Sequence, residues 1–68
     1  MDLLQEEIRI LRLLKNGDAT RSEIALLKLE RQSPMITGLL AKRLIITRSH
    51  HVYAITGRGI EALGAVDV

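Results

Sequence analysis

Two helix-start signals stand thirteen residues apart in this 68-residue chain, and they restrict its folding more than any other feature. Thr20-Arg21-Ser22-Glu23 has capping-box spacing: the Thr20 hydroxyl faces the Glu23 amide, and the Glu23 carboxylate can return to Thr20. Ser33-Pro34 follows, with serine suited to an N-cap and proline to the first helical position. Between them Ile24, Ala25, Leu27, Leu29 and in part Leu26 offer an inward face, and Arg31-Gln32 makes a short polar break. The spacing predicts a helix from Thr20 to about Glu30 or Arg31, a turn, and a helix from Pro34 to about Arg43, the helix-turn-helix rhythm. In the later helix Ile36, Leu39 and Leu40 point inward and Leu44 closes it. Ser33, Met35, Thr37, Gly38, Ala41 and Lys42 are left for the outer side.

A first helix should span about Leu3 to Asn16, capped by Asp2 and stopped by Gly17 in a left-handed conformation. Leu4, Ile8, Leu11 and Leu14 recur at helical spacing and form its core face, with Ile10 and Leu13 off that stripe. Gly17-Asp18-Ala19 reads as a turn. After the helix pair, Leu44 to Arg48 and His51 to Thr56 read as two strands joined at Ser49-His50. A two-stranded hairpin is marginal in water, so it must lean on the helices. Thr56-Gly57 then caps a last helix from about Arg58 to Gly64 carrying Ile60 and Leu63, and Ala65 to Val68 are expected to fray.

The stretch from Leu44-Ile45 through Tyr53-Ala54-Ile55-Thr56-Gly57-Arg58-Gly59 resembles winged helix-turn-helix DNA-binding domains. Those proteins often close the recognition helix with Leu-Ile and return through a Tyr-x-Leu/Ile-Thr-x-x-Gly strand. The likeness covers roughly Asp18 to Leu63. It implies a mainly α fold with a small β-hairpin, in the order α-α-α-β-β-α, with Tyr53 in the core. It also implies a small transcriptional regulator binding double-stranded DNA as a homodimer.

Composition agrees with a single domain, one that buries only about 60% of its unfolded surface at this size. Hydrophobic residues make up 47%, nearly all aliphatic, and cysteine is absent, which removes disulfides and thiolate metal sites. No apolar run approaches the roughly 20 residues of a membrane span and no signal peptide is visible, so a soluble cytoplasmic protein is expected.

The charge is unevenly spread. Residues 19 to 60 hold Arg21, Lys28, Arg31, Lys42, Arg43, Arg48 and Arg58 against Glu23 and Glu30, a net of +5. The first eighteen residues net −1 and the last eight net −2. Positive charge in the segment expected to read DNA points to a polyanionic partner, against the alternative of chance clustering on a solvated surface. If the third helix enters a major groove, Ser33, Thr37, Gly38 and Lys42 lie near bases or phosphates, with Gln32 just before them. Arg21, Lys28, Arg31, Lys42 and Arg43 would position the domain. Arg48, His50 and His51 form the wing tip, touching backbone or minor groove. Each has a plainer reading: Gly38 as a close-packing residue, Met35 as peripheral core or a thymine contact, Arg48 as a solvated strand residue. The helix carries no Arg, Asn or Gln for bidentate base reading.

No catalytic constellation is present in the sequence: the acids spread along helix faces, and Ser22, Ser33 and Ser49 suit caps and turns. His50-His51 cannot readily share a metal, because adjacent strand residues point to opposite faces. No cofactor or small-molecule ligand is expected. Leu3, Ile10 and Leu13 outside the main stripe, with Leu63 of the last helix, are expected to form a symmetric dimer face, the alternative being that Ile10 and Leu13 cover the terminal helix within one chain. Two other functions fit the same residues: a winged protein-interaction module, and an accessory DNA-binding factor in phage or plasmid recombination or replication.

Overall fold

The computed structural model describes residues 3–66. Within them the chain runs α1 (Gln5–Lys15), β1 (Ala19–Thr20), α2 (Arg21–Ala25), α3 (Gln32–Ala41), β2 (Ile45–Ser49), β3 (Val52–Ile55) and α4 (Gly57–Val66). The strands form one antiparallel sheet in the order β1-β3-β2, so the fold is mixed α/β. The expected hairpin is present, but of the turn read at Gly17-Asp18-Ala19 only Gly17-Asp18 remains, and Ala19 opens a third strand. Ala19 and Thr20 pair with Tyr53 and Val52 along the edge of β3 that β2 leaves open. Two residues carry no strand signal of their own; the neighbouring edge supplies the hydrogen-bonding partners. No described helix is long and apolar enough to cross a membrane.

Helix α1 begins later than its pattern suggested. Leu4 is its N-cap residue, in an extended conformation, and its amide donates to Glu7 Oε1 at 3.0 Å. Leucine offers no side-chain acceptor, so only the carboxylate half of a capping box operates here. The cap expected from Asp2 falls outside the described residues. Ile8, Ile10, Leu11 and Leu14 are buried, while Leu4 is 56% exposed. The stripe has therefore rotated: packing against α4 and β3 draws Ile10 fully inside and leaves Leu4 beyond the core. Gly17, at φ +148°, makes the left-handed stop, its amide donating to Leu14 C=O at 3.1 Å.

The capping box at Thr20 forms as its spacing dictates. The Glu23 amide donates to Thr20 Oγ1 and the Thr20 amide to Glu23 Oε1, both at 3.2 Å. The helix it opens is much shorter than expected, ending at Ala25 instead of Glu30. Amides of Leu26, Leu27 and Lys28 each bond the carbonyl three residues back, and Lys28 turns left-handed at φ 55°. That corner lets Leu27 and Leu29 lie against the core, half-buried, while Ala25 and Leu26 face solvent instead of the expected interior.

Helix α3 starts two residues before Pro34, so Ser33 is not its N-cap. Arg31 holds that place without a side-chain hydrogen bond. Proline third in the helix costs no hydrogen bond, since first-turn amides lack intrahelical acceptors anyway. Ile36 and Leu39 are buried as read, and Met35, placed on the outer side by spacing but with a peripheral core role as its plainer reading, is buried with them. The helix ends in a Schellman motif: Arg43 N–H donates to Leu40 C=O and Leu44 N–H to Leu39 C=O, both at 3.0 Å. Its left-handed position, usually glycine, is Arg43 at φ 61°.

Thr56 joins α3 to α4. Its hydroxyl lies 2.8 Å from Arg43 C=O and 3.0 Å from Leu44 C=O as donor, and accepts from the Gly59 amide at 3.1 Å. Its own amide donates to Leu44 C=O at 3.0 Å. A Cβ on Gly59 would stand 2.2 Å from Leu44 C=O, so this crossing requires glycine. The Thr-x-x-Gly signature thus has a physical basis here: a cap, then a close approach. Leu63 is buried as expected, but Ile60 is 50% exposed, a quarter-turn off the inward face. Ala65 and Val66 continue the helix instead of fraying, and Asp67 and Val68 lie outside the described residues.

Candidate nucleic-acid interface

The outward face of α3 consists of Ser33, Pro34, Thr37 and Ala41, all exposed, short and uncharged. They fall at helical spacing opposite the buried Met35, Ile36 and Leu39. Gly38 is half-buried beside this face. A Cβ there would lie 3.5 Å from Glu7 Oε2, an ordinary contact, so α1 does not demand a glycine.

Arg21 links this helix to the hairpin. Its guanidinium donates to Ser33 Oγ, its C=O accepts from Gln32 Nε2 at 3.2 Å, and its amide donates to His51 C=O at 2.9 Å. Four residues read separately as DNA contacts (Arg21, Gln32, Ser33 and His51) therefore meet where the hairpin tip, the start of α2 and the first turn of α3 converge. The Gln32 amide nitrogen is engaged in this link.

The hairpin turns through His50-His51 between the paired Ser49 and Val52, with His51 left-handed at φ 60°. An irregularity between Thr47 and Ser49 leaves Arg48 as the extra residue of a β-bulge. The two imidazoles meet edge-on, centroids 4.0 Å apart at 63°. No group of three or more potential metal ligands occurs among the described residues.

Two of the expected contacts are spoken for. Lys42 Nζ lies 2.9 Å from Glu7 Oε2 and 3.2 Å from Oε1, and the Glu7 side chain is 3% exposed. Lys42 thus turns toward α1 and away from the outward face of α3, a correction to its expected place near bases. A buried carboxylate must be paired, which decides the direction of the lysine. Arg48 Nε meets Asp18 Oδ2 at 3.2 Å, but both side chains are largely exposed. Such a pair is worth about 0–1 kcal/mol and yields readily to a competing anion. Arg31 is exposed, with its amide donating to Glu6 Oε2 at 3.2 Å. Lys28 and Arg43 are exposed at the two left-handed corners flanking α3.

The expected dimer face is also revised. Ile10 and Leu63 are buried in the chain's own core, at 0% and 1% exposure, and Leu3 and Leu13 are half-buried against it. With α1 packed on α4, Ile10 buried and Leu13 half-buried in one chain agree with the alternative reading, in which those two cover the terminal helix. The exposed large apolar residues are Leu4, Leu26, Ile46, Ile60 and Val66.

Sequence reading missed Glu7 and Asp18 as partners of these cations. The one available signal was the acid in the first turn of α1, whose capping role is visible locally; its pairing across 35 residues is not. Comparison of the chain with protein-family models, curated proteins and solved structures finds no match.

Proposed function

We propose that this chain is a winged helix-turn-helix domain that binds double-stranded DNA as a small transcriptional regulator, α3 in the major groove and the hairpin on the phosphate backbone. The observation carrying this reading is the outward face of α3. Ser33, Pro34, Thr37 and Ala41 are short enough for the helix to approach base edges, and no acid among them opposes phosphate. Arg21 ties that face to the hairpin tip, so groove and backbone contacts would act in one register. With no Arg, Asn or Gln on the face and Gln32 engaged, affinity rests mainly on phosphate neutralisation and sequence preference is modest. A homodimer would set two copies of α3 about 34 Å apart on a palindromic site.

A fluorescence anisotropy titration with a random-sequence duplex at two salt concentrations tests this. The expected slope of log affinity against log salt is about −4 per protomer. Arg48→Ala should weaken all sequences alike. Absence of binding at low salt rejects the reading. It would favour a protein-interaction module, which the internal pairing of Lys42 and the 78% exposure of Leu26 support.

A further inference from the structure

Three residues other than glycine adopt positive φ among the described residues: Lys28 at 55°, Arg43 at 61° and His51 at 60°. All three are basic types and all are exposed. Left-handed backbone disfavours residues with a Cβ, lysine and arginine more than asparagine, aspartate or histidine, and glycine relieves the cost. At the close of α3 the Schellman motif makes glycine the ordinary choice, yet arginine stands there. Among the described residues no side-chain hydrogen bond or ion pair holds Lys28 or Arg43, and the His51 ring meets the ring of its exposed neighbour His50.

Their positions share a logic. Lys28 lies four residues before α3, Arg43 two past its last residue, and His51 at the hairpin tip, bonded through Arg21 to the first turn of α3. The three corners bracket the same helix at both ends and at its flank. Strain retained at exposed corners, with basic side chains each time, reads from an outlier toward a binding role.

We infer that Lys28, Arg43 and His51 are the principal phosphate-contacting residues, a set for which the chain accepts backbone strain, while Lys42 serves the fold. The inference rests on the DNA-binding reading above and names the residues that carry it.

The test compares the full chain with Lys28→Gly, Arg43→Gly, His51→Gly and the triple variant. Lys15→Ala, at an exposed helical lysine, is the control. Thermal unfolding is read beside anisotropy against a random-sequence duplex across a salt series. Each glycine variant should melt about 2–5 °C higher, the relief being partly offset by glycine's greater unfolded entropy. Lys28→Gly and Arg43→Gly should each make the salt slope shallower by about 0.9, with Lys15→Ala leaving it unchanged. A wild-type chain that binds, with glycine variants binding as tightly and with the same slope, overturns the inference alone. Melting points that stay level or fall remove the strain on which it stands and overturn it too. A wild-type chain that binds no duplex sinks the DNA-binding reading itself. Higher melting with weaker, less salt-dependent binding is the signature of a contact held at a cost in stability, which a merely structural corner would not give.

Discussion

The Glu7 carboxylate and the Lys42 ammonium, 35 positions apart in the chain, meet at 2.9 Å where α1 crosses the end of α3. The carboxylate is almost fully buried while the lysine is 36% exposed, so the cost of separating them falls unequally. Glu7 would be left charged in an apolar setting, whereas Lys42 could reach water.

Removing the lysine should therefore hurt more than its surface position suggests. Lys42→Ala is expected to lower stability by about 2 kcal/mol, below the range for fully buried pairs because one partner is wet. Urea unfolding by circular dichroism measures this. An unmoved midpoint with weakened duplex binding would return Lys42 to the groove.

Two glycines of α4 make opposite predictions. A Cβ on Gly59 would overlap Leu44 C=O and stand 2.7 Å from Ile55 Cγ1, whereas nothing lies within 4 Å of one on Gly64. Gly59→Ala should cost about 3 kcal/mol or more, because backbone cannot yield as a side chain would. Gly64→Ala should stabilise by about 0.5–1 kcal/mol through helix propensity. Thermal melts of both variants decide the matter, and a tolerated Gly59→Ala would contradict the close crossing.

Ile10 and Ile60 separate core from surface. Ile10→Ala is expected to cost about 3 kcal/mol, a large share of what a domain this size possesses. Ile60→Ser should change stability by less than about 0.5 kcal/mol. Sedimentation of Ile60→Ser then asks whether α4 joins two copies. If wild-type chains associate and this variant does likewise, α4 is not the contact.

Legibility in the sequence followed the range of the interactions. The capping box at Thr20 and Glu23, the Gly17 stop and the Thr56 cap are settled within four residues, and each was readable. The hairpin was readable too, because its strands are adjacent. Strand β1 was not, since Ala19 and Thr20 become a strand only beside Val52 and Tyr53. The length of α2 misled because Leu26-Leu27-Lys28-Leu29 suits a helix on composition, while packing of Leu27 and Leu29 turns the chain at Lys28. Ser33-Pro34 announced a helix start correctly but two residues late. At the candidate site, residue types were visible and their engagements were not: neither the turn of Lys42 toward Glu7 nor the convergence on Arg21 is written in local spacing.

Because one hydroxyl on Thr56 both donates to the Arg43 and Leu44 carbonyls just past α3 and caps the start of α4, the terminal helix is no detachable appendage. A chain cut before that threonine would lose Leu63 from the interior and leave the Arg43 and Leu44 carbonyls without the donor that now serves them. Fusions and internal cuts should accordingly respect everything through α4, since the corner that closes α3 is braced from behind by the cap of α4.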